Sequence, residues 1–188
     1  DVSNVASPTL AGNLDTSGTA RGVTLSSDGG YAFVADGSSG GLQIIDVSNV
    51  ASPTLAGNLD TSGTAYGVTL SSDGQYAFVA DFFSGLQIID VSNVSSPTLA
   101  GNLDTSGFAY GVTLSSDGQY AFVADFFSGL QIIDVSNVSS PTLAGNLDTS
   151  GFAYGVTLSS DGQYAFVADT SSGLQIIDVS NVASPTLA

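Results

Sequence analysis

A chain of 188 residues, 43% of them hydrophobic, can bury a sizeable core, and its length allows one domain or a short repeat array. Its 17 acidic residues are all Asp, opposed by one Arg and no Lys, and the resulting charge of −16 excludes nucleic acid as a partner and disfavours anionic membrane surfaces. Cys, His, Glu and Met are absent, which removes disulfides, thiolate chemistry, the commonest general base and the commonest metal ligand; no apolar run approaches the roughly 20 residues that a membrane helix needs, so no membrane insertion is expected.

The segment DVSNV begins at Asp1, Asp46, Asp90, Asp134 and Asp178, which sets a period of 44 residues, lengthened to 45 in the first unit by a glycine within Gly37-Ser38-Ser39-Gly40-Gly41. On that period the chain divides into units 1-45, 46-89, 90-133 and 134-177 and a partial fifth, 178-188. A repeat of this length means propeller blades or helical pairs. Helical pairs fail, because the units are rich in Val, Thr, Ile, Phe, Tyr and Gly, with turn residues every 8–12 positions and no sustained 3.6 period.

Taken in order, the chain opens at the end of a strand C and runs into a strand D, Thr9 to Asp15. The second full unit then shows the pattern. Tyr66 to Leu70 reads as strand A, with small residues that suit a crowded central channel. Ser72-Asp73-Gly74 is a tight turn, since Asp and Gly tolerate its backbone angles. Gln75 to Ala80 is strand B, Phe82 to Gly85 a second turn, and Leu86 to Val91 strand C. B and C are apolar at nearly every position, as in a sheet covered on both faces. Ser92 to Pro97 is a turn, and Pro97 ends strand pairing. Thr98 to Leu103 is strand D, alternating as an outer strand half in water should. The predicted fold is therefore an all-β propeller array, with four tandem blades of four antiparallel strands each.

The stretch SSDGQYAFVADFFSGLQIIDVSNVSSPTLAG resembles the LVIVD repeat, a propeller blade of bacterial and archaeal surface or secreted proteins. Leu86-Gln87-Ile88-Ile89-Asp90 stands where that family has its LVIVD core. The resemblance covers every unit. It implies a propeller and a secreted or cell-surface location, and it carries almost no information about activity.

The copies are nearly identical, so their differences are informative. Variation concentrates in the B–C and D–A connections, which share one face of a propeller. The B–C turns read Gly37-Ser38, Phe82-Phe83, Phe126-Phe127 and Thr170-Ser171. The D–A turns read Thr19, Thr64, Phe108 and Phe152. Arg21 replaces the tyrosine found at Tyr66, Tyr110 and Tyr154. Large letters follow large ones and small follow small, either because adjacent blades touch there or because whole modules were copied.

These residues suggest three kinds of site. Phe82, Phe83, Phe108, Tyr110, Phe126, Phe127, Phe152 and Tyr154 form a candidate binding face for a glycan or a protein, with filling of gaps between blades as the alternative. A ring of Asp36, Asp81, Asp125 and Asp169 suggests Ca²⁺, against the simpler role of Asp in turns; no cofactor is expected. Catalysis is read as absent, because triads need His or Cys and near-identical repeats cannot give two carboxylates different environments. The expected function is thus a non-enzymatic structural or interaction module that self-associates by completing strands or blades, with a glycan- or protein-binding propeller as the alternative. The partner is the chain itself. DVSNVASPTLA occurs at both ends, so in a closed ring either Asp1 to Val5 or Ala183 to Ala188 is surplus. Self-closure, an eight-bladed ring of two chains and a longer array all remain open.

Overall fold

The computed structural model describes residues 1–4 and 6–188. Turn chemistry at 44-residue intervals cuts the described residues into sixteen strands and a single helical turn. The first blade holds β1 (Gly22–Leu25), β2 (Tyr31–Ala35), β3 (Leu42–Asp46) and β4 (Thr54–Leu59), with α1 (Gly37–Gly40) between β2 and β3. The second holds β5 (Ala65–Leu70), β6 (Tyr76–Asp81), β7 (Gly85–Asp90) and β8 (Thr98–Leu103). The third holds β9 (Ala109–Leu114), β10 (Tyr120–Asp125), β11 (Gly129–Asp134) and β12 (Thr142–Leu147). The fourth holds β13 (Ala153–Leu158), β14 (Tyr164–Asp169), β15 (Gly173–Asp178) and β16 (Thr186–Leu187). Each sheet is antiparallel with its strands in chain order, as expected of a blade.

Within each blade the turn residues act as anticipated. Gly74 sits at φ 71°, the left-handed conformation that glycine adopts without strain. Ser71 Oγ donates to Asp73 Oδ1 at 2.6 Å and the Gln75 N–H donates to the same oxygen at 3.0 Å, so the carboxylate braces the hairpin. The outer strand carries a bulge: Ile88 faces Gly101 and Ile89 faces Leu99, leaving Ala100 extra and bending the strand at the blade rim.

The core lies between blades. Alternate residues of the second and third strands point to opposite faces. Phe33, Ala35, Leu42 and Ile44 of the first blade pack on Ala77, Val79, Ile89 and Val91 of the second. Phe78, Ala80, Leu86 and Ile88 repeat this against the third blade, and Phe122, Ala124, Leu130 and Ile132 against the fourth. The same half-interface is thus used three times.

Two details differ from the sequence reading. The helical turn α1 absorbs the extra glycine, and Gly41, at φ 54°, takes the place that Gly85 holds in the next blade. Thr9 to Asp15 forms no strand, because no strand C of a preceding blade lies beside it. It is nevertheless seated like one: a Cβ on Gly12 would fall 2.1 Å from the Val50 carbonyl oxygen, just as one on Gly57 would fall 2.0 Å from that of Val94. Of the two chain ends expected to be surplus on ring closure, Thr186–Leu187 pairs with β15, and Val5 lies outside the described residues.

Candidate functional site

The aromatic residues of the B–C and D–A connections converge on one face. Phe82 stacks on Phe108 at 4.2 Å between centroids, and Phe126 on Phe152 at 4.4 Å. Phe83 and Phe127 meet Phe108 and Phe152 edge-on, at 5.5 Å in both cases. The paired variation therefore corresponds to contact across a blade boundary, with each aromatic turn lying over the next blade's D–A connection. Nearer the axis, Tyr66, Tyr110 and Tyr154 form a ladder with steps of 4.4 and 4.6 Å. The two groups join, since Phe82 lies 5.2 Å from Tyr110 and Phe126 lies 5.3 Å from Tyr154.

All eight candidate residues belong to this cluster. Tyr66 belongs to it as well, through Phe82 at 5.3 Å, and was left out of the sequence-based set. Its place in the repeat, level with Tyr110 and Tyr154, was the available signal. The rings divide by exposure: Phe82, Phe108 and Phe126 are half-buried fillers between blades, whereas Phe83 and Phe127 are 64% and 55% exposed. Burial, and then the neighbouring Tyr66 and Tyr154 hydroxyls, pushes the Tyr110 hydroxyl up to about 12, so Tyr110 stays protonated and neutral at physiological pH.

The four inward carboxylates do not share a site. Each is tied to its own blade: Gly18, Gly63, Gly107 and Gly151 donate backbone N–H groups to Asp36, Asp81, Asp125 and Asp169 at 2.8, 2.9, 2.9 and 3.1 Å. Among the described residues no three potential metal ligands of the His, Cys, Asp and Glu types come together. These aspartates hold the D–A connection onto the second strand of the blade, which is what places the aromatic residues of that connection.

Burial pushes the Asp81 and Asp125 carboxyls up, against the lowering effect of the Gly63 and Gly107 N–H groups. Oδ1 of each is buried without a hydrogen-bond partner, as are the hydroxyls of Thr61 and Thr105. A carboxyl whose folded pKa is raised costs stability once it ionises, and that cost is absent at pH values below its unfolded pKa. Asp81→Asn keeps the oxygen that accepts from Gly63 and supplies an N–H that the Thr61 oxygen can accept. Thermal melts should show Asp81→Asn more stable than wild type at pH 7, with the gain shrinking as the pH falls through the raised pKa. A variant less stable at pH 7 would show that the carboxylate charge itself supports the fold. The exposed turn aspartates behave oppositely: hydrogen bonds from Ser71 and Gln75 hold Asp73 below the usual carboxylate range, and this support is lost in acid.

On the opposite face, three equivalent grooves of 340–480 Å³ lie between neighbouring blades. Their carboxylates, such as Asp73 and Asp117, are the ones engaged in hairpin turns.

Four tandem four-stranded antiparallel sheets packed face to face define a β-propeller array. The chain belongs to the LVIVD repeat family, whose model matches residues 1–16, 17–61, 62–105, 106–149 and 150–188. No curated protein matches the sequence. Among solved structures, the chain is similar to a putative 6-phosphogluconolactonase from Bacteroides uniformis, at TM-score 0.77 and 17% identity over 90% of this chain and 52% of that one. It is similar to the periplasmic gluconolactonase PpgL of Pseudomonas aeruginosa, at TM-score 0.73 and 19% identity over 88% and 55%. It also resembles the β-propeller domain of Myceliophteria thermophila Cps50 (Swd1), at TM-score 0.70 and 14% identity over 89% and 56%. The chain spans about half the length of these structures.

These neighbours correct one expectation. The sequence alone reads catalysis as absent, because His and Cys are missing and near-identical repeats give their carboxylates alike surroundings. Propellers of the same fold carry lactonase names, so the fold accommodates catalysis and the exclusion falls. Missing His and Cys removes triad chemistry but not chemistry run by carboxylates. At this identity the likeness carries the fold alone and transfers no substrate.

Proposed function

We propose that the chain is an interaction module, an arc of four blades that joins head to tail with a second copy of itself. One observation carries the reading. Leu174 and Ile176 of the last blade are 63% and 38% exposed, whereas their counterparts Leu42, Leu86, Leu130, Ile44, Ile88 and Ile132 are all at 0%. The other half of the same interface is only partly covered at the opposite end: Val23 and Leu25 are 67% and 57% exposed, while Ala32, Val34 and Ile45 are packed against Leu14 and Val47. Each end therefore carries one half of the interface that the three internal junctions repeat, which supports a joint of the same kind between copies.

The strand edges support the same joint. β15 is paired with β16 only at Ile177 and Asp178, so Leu174 and Gln175 lack the outer-strand partners that Leu130 and Gln131 have in Leu147 and Asn146. Gly12, Asn13 and Leu14 occupy the matching positions of the repeat and lack a strand to pair with. A head-to-tail joint supplies both needs at once and removes two open edges. Leu174→Asp places a charge in that joint without disturbing any internal contact. Sedimentation equilibrium should find association weakened at least about 100-fold, with the melt of the monomer unchanged. Association unaffected by Leu174→Asp would overturn the reading.

A second reading rests on Phe83 and Phe127, two large exposed rings on the loop face that both contact Phe108, at 5.5 and 5.2 Å. They suit a glycan or a protein ligand that stacks on aromatic surface. A glycan array run on wild type and on Phe83→Ala with Phe127→Ala tests it. Selective binding lost in the double variant, at a stability cost under about 1 kcal/mol, is the expected result. Binding retained by the variant would remove the aromatic face from consideration.

A further inference from the structure

Arg21 is the chain's single basic residue, and it occupies the ladder position held by tyrosine in the other three blades. Its guanidinium carbon lies 4.1 Å from the centroid of the Tyr66 ring, close to the 4.4 and 4.6 Å steps between the tyrosines themselves. Among the described residues the ladder thus runs from a cation to Tyr154, which is 44% exposed and meets only the rings of Tyr110 and Phe126. Beside it, a Cβ placed on Gly155 meets nothing within 4 Å, whereas one on Gly22, Gly67 or Gly111 falls 2.6–3.1 Å from a carbonyl oxygen of the tyrosine in the following blade.

Continuing the ladder by one more step brings a following blade's first residue of this row onto Tyr154. In a head-to-tail assembly that residue is the Arg21 of a second copy. We propose that Arg21 is the specificity-determining residue of the joint, its guanidinium sandwiched between Tyr66 of its own chain and Tyr154 of the neighbouring copy. The inference rests on the self-association reading above and adds the contact that fixes its polarity.

The electrostatics favour such a device. Two copies at −16 each repel on approach, so a joint made only of apolar residues gains nothing from charge. A guanidinium is attracted to the faces of tyrosine rings and is weakly hydrated, so it can be enclosed between two of them. The neighbouring turns raise no obstacle, because Thr170 and Ser171 in the last blade and Thr19 near the first are small, like Gly37, Ser38 and Thr64 at the first internal junction, where the other two junctions carry phenylalanine. The arrangement also distinguishes ends: a head-to-head joint would place Arg21 against Arg21, and a tail-to-tail joint would leave both guanidinium groups outside.

A double-mutant cycle tests the contact. Arg21 and Tyr154 stand at opposite ends of one chain's ladder, so coupling between them in the association constant arises only across the joint. Dissociation constants would be measured by sedimentation equilibrium for wild type, Arg21→Ala, Tyr154→Ala and the double variant. Each single change is expected to weaken association by about 3- to 30-fold, and the double variant by clearly less than the product of the two. Arg21→Lys, which keeps the cation but not the planar guanidinium, should recover part of the loss. A double variant equal to the product, in a wild type that does associate, would overturn the role of Arg21 and leave the joint standing. A wild type that stays monomeric would overturn both.

Discussion

Gly101→Ala should be among the most damaging single substitutions in this chain, costing about 3 kcal/mol or more in a denaturant melt. Gly101 lies at the bulge of β8, where the outer strand of the second blade presses on the connection before the outer strand of the third. A Cβ there would fall 2.1 Å from the Val138 carbonyl oxygen. That neighbour is backbone and cannot rotate aside, so either β8 or the Asn137–Ser140 turn must move. The repeat makes the same demand at Gly57 and Gly145, at 2.0 and 2.1 Å, so these glycines are spacing elements between blades. Gly74→Ala is the control. It meets nothing within 4 Å but must hold φ 71°, and should cost only about 1 kcal/mol. Equal costs at Gly101 and Gly74 would show that the blades are not packed this closely.

The second large effect compares one residue type at two places in the repeat. Leu86 is fully buried between the second and third blades, and Leu86→Ala should cost about 2–5 kcal/mol through lost burial and the cavity left behind. Leu174, at the same place in the last blade, is 63% exposed. Leu174→Ala should change the stability of the dissociated chain by under about 0.5 kcal/mol, yet weaken association. Measured at low protein concentration, the two variants should therefore differ by several kcal/mol. Similar losses at both positions would mean that the last blade's outer face is already covered within one chain.

Much of the fold is legible in the sequence because local rules agree with one another. Asp73-Gly74 fixes a tight turn, alternation fixes the half-wet outer strand, and unbroken apolar runs in the second and third strands require cover on both faces. Strand D of the second unit, Thr98 to Leu103, matches β8 residue for residue. What escapes is whatever depends on a blade's neighbours. Thr9 to Asp15 has the letters of an outer strand but forms none, since pairing needs a strand C beside it. Leu174 is indistinguishable in sequence from Leu86, although only one of them is buried. Periodicity states what each blade requires and is silent on which blades have it.

The candidate site was legible for a related reason. Covariation between Phe82-Phe83 and Phe108 pointed to a boundary contact, which is present. Tyr66 stands in the same visible row as Tyr110 and Tyr154, but its membership of the cluster rests on its contact with Phe82, which the letters alone do not show. Of the two roles that the sequence offers for Asp36, Asp81, Asp125 and Asp169, bracing the chain locally is the one each carboxylate fills, within its own blade. The exclusion of catalysis failed by reasoning from missing residue types to a missing capability in a fold that also hosts proteins named as lactonases.

The central claim is that the two end faces, exposed at Leu174 and Ile176 and at Val23 and Leu25, are halves of one interface. Light scattering across a hundredfold range of concentration, at low and moderate salt, tests it most directly. The account predicts a mass that rises above the 18.7 kDa of one chain, with association strengthened by salt as the repulsion between copies at −16 is screened. A mass that stays at one chain throughout, at every salt concentration, would contradict it.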